Sequence, residues 1–286
     1  MTAPNERRSL FLEQHAPILA AAERSIGLDA ALTFLRELGL DDFGLLLWSL
    51  PDSQYPNLSR LLPRMAAVDI QNTWTGDSGM RLLGQSLSFM RLLESISTRE
   101  SGRSLQGRRI LDFGCGYGRL MRLLYYHTDP ANVVGVDAWE QSLEICRKDG
   151  LLGTFVKSDD VPRDLGVGGV DLAFSYSVFT HLSEEAFLAT LAAVRETLAP
   201  AGLFVFTIRP VEFWRYIESV KGLGIAEEME ARHQRSGFAF HPLNSPTFGE
   251  ASIATTYLEQ LSGWQLLGSE RLLDNPHQLV VVFRAR

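Results

Sequence analysis

From Arg109 to Ile208 the chain alternates short apolar runs with helical segments, and this alternation restricts the fold more than any other feature. The runs Arg109–Phe113, Asn132–Val136, Gly153–Val156, Val170–Ser175 and Gly202–Ile208 each have the length of one strand. Amphipathic segments lie between them at about Arg119–His127, Trp139–Asp149 and Glu184–Leu198, the last with Ser183 placed as its N-cap. Strand and helix in turn build a parallel sheet with right-handed crossovers, and ligands then sit at the carboxyl ends of the strands. The expectation is a doubly wound α/β domain. Two more strands, Trp264–Leu272 and Gln278–Arg284, are separated only by Leu273 to His277, with Asn275-Pro276 as turn chemistry. That link is too short for a crossover, so the two form a hairpin and one strand at the sheet edge runs antiparallel.

Two flanking regions break the alternation. Residues 1–105 read as a helical cap, with Leu28, Leu32, Leu35 and Leu38, and then Leu82, Leu83, Phe89, Leu92 and Ile96, at helical spacing. Pro51, Pro56 and Pro63 divide it, and Asp77-Ser78 offers an N-cap to a helix over Gly79–Arg99. Such helix pairs cover a site or join two copies of the chain as a homodimer. The α/β domain then occupies 106–286. Within it, Pro210–Glu250 has no strand period and many aromatics and histidines: Phe213, Trp214, Tyr216, His233, Phe238, Phe240, His241 and Phe248. It leaves the fifth strand's carboxyl end, on the ligand side of the sheet, and reads as an inserted substrate lid.

Composition narrows the partners. Asp and Glu outnumber Lys and Arg by 34 to 27, a net charge of -7, which argues against holding nucleic acid through many phosphates. A small-molecule substrate is expected. Two cysteines, Cys115 and Cys146, make neither a disulfide framework nor a zinc site, so no metal is expected. The apolar stretch near the N-terminus is interrupted by Glu13, His15 and Pro17, and nowhere do about 18 uncharged apolar residues run together. The expectation is a cytoplasmic protein with no membrane insertion.

The first strand ends in Asp112 and turns through Gly114, Cys115, Gly116 and Gly118 into a helix. Glycines permit positive φ and close ligand approach, and the helix start supplies unpaired N–H groups. A dinucleotide fingerprint needs G-x-G-x-x-G, but Arg119 stands at the third position and the pattern is G-x-G-x-G. Pyrophosphate is thereby disfavoured. Asp112 would repel phosphates and can accept from a ligand ammonium. Asp137, at the second strand's tip, can accept from two ribose hydroxyls, with Ala138-Trp139 beside it to pack on an adenine face. After the third strand, Asp159 or Asp160 can accept from the adenine amino group.

With these residues in place, Ile110–Arg119, Val133–Ala138 and Asp171–Ser183 resemble the first, second and fourth motifs of class I S-adenosylmethionine-dependent methyltransferases. The resemblance implies a seven-stranded, mostly parallel sheet of order 3-2-1-4-5-7-6, the seventh strand antiparallel. It implies S-adenosylmethionine as cofactor, with S-adenosylhomocysteine as product. Asp112 and the backbone from Gly114 to Gly118 would hold the methionine moiety, and Ser175 and Tyr176 would line its amino group. Cys115 reads as a small packed side chain and not as a nucleophile. The stretch Trp74-Thr-Gly76-Asp-Ser-Gly79 resembles a segment that bacterial members place ahead of the core, and Phe248-Gly-Glu250 with Thr256-Tyr257 a Y-G-E…S-x-x-Y element. Both would close over cofactor and substrate.

Methyl transfer from a sulfonium needs alignment, a dry pocket and, for a weakly acidic oxygen, a base. His181, on the loop leaving the fourth strand, is one candidate base, and His241 and Glu250 are the others. His233, flanked by Arg232 and Arg235, reads as solvated, and Arg209 as a solvated strand end or, in the alternative, a partner for an acidic substrate group. Trp214, Tyr216 and Phe213 form either an aromatic wall for the substrate or the core of the insert. The expected activity is methyl transfer to a small-molecule acceptor, at an oxygen of a sugar-like, lipid-linked or specialised metabolite. The alternatives are a catalytically silent S-adenosylmethionine-binding regulatory or scaffold protein and a nicotinamide-dependent oxidoreductase; the latter lacks both the third glycine and a Tyr-x-x-x-Lys arrangement.

Overall fold

The computed structural model describes residues 13–243, 245–272 and 275–286. They form two compact units: one runs to Gly107 and takes in 115–133 and 140–154, and the other holds 108–114, 134–139 and everything from Phe155 to Arg286.

The first unit is helical. Its elements are α1 (Ala16–Glu23), α2 (Leu28–Leu35), α3 (Leu40–Ser49), α4 (Pro56–Leu61), α5 (Val68–Thr75), α6 (Gly79–Ser101), α7 (Met121–Leu124) and α8 (Glu140–Lys148). Leu28, Leu32, Leu35 and Leu38 are buried, as are Leu82, Leu83, Phe89 and Ile96, whereas Leu93 takes the buried place expected of Leu92. Gly44 lets α3 lie tightly on α6 and α7: a Cβ there would stand 3.0 Å from both Leu83 and Leu87 and 3.3 Å from Leu123. The expected Ser78 cap on α6 is replaced by Gln71, whose Oε1 accepts from Gly79 N at 3.1 Å. The helix expected over Arg119–His127 shrinks to Met121–Leu124. Arg36 closes its frayed end, donating to Tyr125 O at 2.9 Å and to Thr128 O at 2.8 Å, and so satisfies carbonyls that the short helix leaves open.

The second unit carries the sheet. Its strands β1 (Ile110–Phe113), β2 (Val133–Asp137), β3 (Thr154–Lys157), β4 (Val170–Ser175), β5 (Leu198–Ile208), β8 (Trp264–Arg271) and β9 (Leu279–Ala285) stand in the order β3-β2-β1-β4-β5-β9-β8. β1, β4 and β5 pair in parallel, and β9 is antiparallel to β5 and to β8. The antiparallel strand is therefore interior, not at the edge as the hairpin alone suggests, because β9 folds back between its partner and β5. Part of the expected turn, Leu273 and Asp274, lies outside the described residues. α9 (Glu184–Thr197) starts on Ser183, whose hydroxyl accepts from Ala186 N. One face of the sheet is packed by Phe113, Phe179, Phe187, Phe204, Phe206, Trp264 and Phe283.

The inserted segment is more ordered than its sequence suggests. It holds α10 (Phe213–Lys221), α11 (Ala226–Ser236) and a two-stranded antiparallel sheet of β6 (Phe238–Pro242) and β7 (Gly249–Ile253), followed by α12 (Thr255–Leu258). β7 gives no alternating signal because all five of its residues are buried. Trp214 settles as core, packed with Phe213, Ile217, Ala226, Met229 and Ala239. His233 is not solvated. One helical turn beyond Met229, it faces inward at 8% exposure, and its Nδ1 lies 2.8 Å from Ser252 Oγ, to which Trp214 Nε1 also donates at 2.6 Å. Burial lowers its pKa.

Candidate functional site

In this sheet β1 stands between β2 and β4, so the chain departs from it in both directions and its carboxyl end is the topological switch point, where open α/β sheets take ligands. Asp112 stands there at 2% exposure. Gly114 N donates to Val136 O at 2.7 Å, tying the start of the glycine loop to β2. At the tip of β2, half-buried Asp137 accepts from Trp139 N at 2.8 Å, an Asx turn that leaves the indole 61% exposed and Ala138 half-buried. Ser158 N donates to Asp137 O at 3.0 Å, and Asp159 and Asp160 follow on the exposed surface. Ser175 is fully buried and its hydroxyl donates to Phe113 O at 2.8 Å, so that group ties β4 to β1; Tyr176 next to it is half-buried.

The loop continues in the first unit. Gly114, Gly116 and Gly118 have φ of 75°, 55° and 73°, a region that side chains rarely adopt. Gly118 is required by packing as well, since a Cβ there would run into Leu151 and stand 3.1 Å from Cys146 Sγ. Gly116 differs: a Cβ would meet only the Trp74 ring, at 3.6 and 3.8 Å. That leaves bare backbone facing an indole. Trp74 lies in the last turn of α5, which Gly76 ends with φ 73° and a bond from its N–H to Asn72 O at 2.9 Å. Cys115 and Cys146 are both buried, and the Cys146 thiol lies 3.3 Å from Gly116 O. Arg119 is buried and donates to Ser86 Oγ at 2.9 Å.

At the carboxyl ends of β4 and β5 the insert adds a charged cluster that joins two of the candidate bases, His181 and Glu250, to Arg209 and Lys221. Arg209 Nη1 pairs with Glu250 and also donates to Thr180 O at 2.9 Å. Its Nη2 lies 3.2 Å from His181 Nε2, and its guanidinium sits 4.0 Å over the Phe213 ring. His181 Nδ1 lies 2.7 Å from Gly249 O, so it carries the proton, and Nε2 is the acceptor facing Arg209. Lys221 Nζ reaches Glu250 at 3.1 Å. Phe248, 49% exposed, stacks on the imidazole with centroids 5.0 Å apart. Burial and then Arg209 push the pKa of His181 down to about 4. Burial opposes ionisation of Glu250, but Arg209, with His181 and Lys221, outweighs it and holds the carboxyl below its ordinary range. Arg209 is thus no solvated strand end. His241 lies opposite Glu250 in the β6–β7 register. Tyr257 donates its hydroxyl to Glu184 at 2.6 Å and packs on Phe187 and Phe238.

A family model that describes a methyltransferase domain matches residues 110–202, from β1 into β5. That third of the chain is a methyltransferase domain. The sheet order is the one the resemblance implies, with the last strand in sequence, β9, inserted antiparallel beside β5. Among solved structures, a candidate S-adenosylmethionine-dependent methyltransferase from Listeria monocytogenes is 13% identical, covers 71% of this chain and 99% of its own, and has a TM-score of 0.50. One from Mesorhizobium loti is 19% identical over 70% of this chain and 97% of its own, with a TM-score of 0.47. The CcbJ methyltransferase from Streptomyces caelestis is 18% identical over 76% and 95%, with a TM-score of 0.48. At these identities the likeness is one of fold. No curated protein sequence matches the chain.

This methyltransferase carries residues suited to its methyl donor, S-adenosylmethionine. The donor is a cation with an amino-acid end; the second unit holds a buried carboxylate, Asp112, at the end of β1, and in the first unit Gly116 has no side chain over its backbone. Among the described residues no helix is long and apolar enough to cross a membrane.

Proposed function

We propose that Asp112 and the backbone from Gly114 through Cys115 and Gly116 to Gly118 hold the amino-acid end of S-adenosylmethionine, with Tyr176 beside it and Trp74 and Gly76 covering the loop. Asp137 takes the ribose hydroxyls, Ala138 and Trp139 flank the adenine, and Asp159 or Asp160 accepts from its amino group. Ser175 acts through its bond to Phe113 O, which fixes the spacing of β4 and β1. When bound, S-adenosylmethionine supplies an electrophilic methyl group on a sulfonium whose leaving group departs neutral. The observation that carries this reading is the buried Asp112 at the sheet's switch point. Calorimetric titration tests it: S-adenosylmethionine and S-adenosylhomocysteine should bind and NAD should not, and NAD binding without adenosyl binding would overturn it.

The acceptor in this proposal is a small molecule methylated at oxygen. His181 and Glu250 do not serve as the base in the arrangement described: His181 offers its lone pair to Arg209, and the Glu250 carboxylate is held by Arg209 and Lys221. Their work is to fasten β7 to the loops after β4 and β5, where Gly249 N donates to His181 O at 2.8 Å and Ala251 N to Thr180 O at 2.9 Å. Of the sugar-like, lipid-linked and specialised-metabolite acceptors that the sequence admits, this favours those whose oxygen is far more acidic than a sugar hydroxyl, such as carboxylic acids, already ionised at neutrality, and phenols. His241 is the remaining candidate base. A panel of phenolic, carboxylic and sugar hydroxyl acceptors, assayed by release of S-adenosylhomocysteine, decides: turnover confined to sugar hydroxyls would refute the preference.

A further inference from the structure

Ser177, just past the end of β4, has φ of 60° although it is not a glycine. A side-chain-bearing residue keeps such a backbone only when its surroundings over-determine it, and such residues cluster at functional sites. Two buried groups supply the hold. Its N–H donates to Oγ1 of Thr207, a fully buried residue of β5, at 2.7 Å. Its hydroxyl is gripped by both ends of the Gln278 carboxamide, accepting from Nε2 at 2.7 Å and lying 3.1 Å from Oε1. Gln278 is itself 5% exposed and comes from the far end of the chain, at the start of β9, 101 residues on. What the turn positions is visible one residue later. Val178 places its side chain against Gly114, so closely that a Cβ on Gly114 would strike it, and Val178 O accepts from His181 N at 2.8 Å.

We propose that Gln278, with Thr207, is a positioning residue for the methyl-donor loop: by clamping Ser177 in a left-handed backbone, it seats Val178 over Gly114 and sets the exit of the chain through Tyr176. The inference rests on the donor-site reading above. The antiparallel strand β9 thereby acquires a part in the donor site without touching the donor. Neither Gln278 nor Thr207 belongs to a recognisable motif, and only the return of β9 beside β5 brings them to Ser177.

The test combines S-adenosylhomocysteine titration with amide exchange of the ligand-free full chain. Gln278→Ala should weaken S-adenosylhomocysteine by about tenfold, because only the fraction of molecules that keep the turn remain competent to bind. The Ser177 amide should lose its exchange protection in the same variant. Adding Ser177→Gly to Gln278→Ala should restore affinity to within about twofold of the wild type, since glycine holds this backbone without a clamp. A merely structural role for Gln278 would not be rescued in that way. Should Gln278→Ala fail to fold, Thr207→Val removes the acceptor of the Ser177 N–H while keeping the side-chain volume, and carries the same expectation. Unchanged affinity in the folded variant, or no recovery on adding Ser177→Gly, overturns the proposal. Failure of the donor-site reading would show in the wild type itself, as absence of S-adenosylhomocysteine binding, whereas failure of this inference shows only in the variants.

Discussion

The glycine loop after β1 and the charged cluster at the insert reach their chemistry by opposite routes. Asp112 to Gly118 is one covalent stretch in which the backbone does the work, and its neighbours in sequence are its neighbours in space. The cluster draws His181, Arg209, Lys221 and Glu250 from four separate segments, and the protonation of His181 and of Glu250 follows from burial and from the charges beside them. A loop of the first kind is sensitive to a single methyl added within it, to a degree set by what each glycine faces. A cluster of the second kind keeps its backbone and loses its charge balance when any member is cut.

The largest expected effect tests the cluster. Glu250→Ala leaves Arg209, a half-buried cation, short of its partner and should cost about 3 kcal/mol of stability, measured by urea unfolding. A loss below about 1 kcal/mol would mean that Lys221 and solvent already balance the site. On the loop side, Gly118→Ala should cost about 2–3 kcal/mol, from positive φ and from the crowding of Leu151 and Cys146. Gly116→Ala, which meets only the Trp74 ring, should cost about 1 kcal/mol in stability, and its main effect should be on donor affinity. Equal destabilisation by the two alanines would erase the distinction between a packing glycine and a binding glycine.

The cluster also has a pH signature. His181 is half-buried and held neutral, with a pKa near 4 against an ordinary 6.5. Between those values the unfolded chain binds the proton more readily, so its contribution to stability is full above about pH 6.5 and is lost as pH falls toward 4. Glu250, shifted down, adds a further loss below about pH 4.5, as the carboxylate is protonated. The stability of His181→Asn relative to the wild type should therefore rise by roughly 3 kcal/mol from pH 7 to pH 4. A pH-independent difference would show that the imidazole is not held neutral. Asp137→Ala should weaken S-adenosylmethionine binding by about 1–3 kcal/mol in calorimetry, the size of lost charge-assisted bonds to ribose. An unaltered Kd would remove Asp137 from the donor site. The smallest effect concerns catalysis: His181→Asn should keep kcat within about tenfold, whereas a general base would cost about a hundredfold or more. A loss of that size, accompanied by disappearance of an acidic limb in the pH profile, would return His181 to the role of base.

How much was legible follows from which interactions are local. The strand positions were readable because a strand in a covered parallel sheet needs a continuous apolar run, and β4 lies on Val170–Ser175 as its run indicates. The glycine loop was readable because positive φ selects a residue type directly. β7 was not, because Gly-Glu-Ala-Ser-Ile is buried on both faces by its surroundings rather than by its own hydrophobicity. His233 was misjudged for a related reason: its neighbours Arg232 and Arg235 are exposed, and only the helical rotation of α11 turns the imidazole onto Ser252.

The sequence by itself determined the alternating architecture, the position of the glycine loop and the likeness to a methyltransferase domain, since these depend on residue type and short-range spacing. Tertiary structure alone decided that β9 returns between β5 and β8, that Arg209 neutralises Glu250 and takes the lone pair of His181, and that Gln278 grips Ser177. Each of these joins residues far apart in the chain, and a side chain's charge and hydrogen-bonding state depend on what the finished fold places beside it.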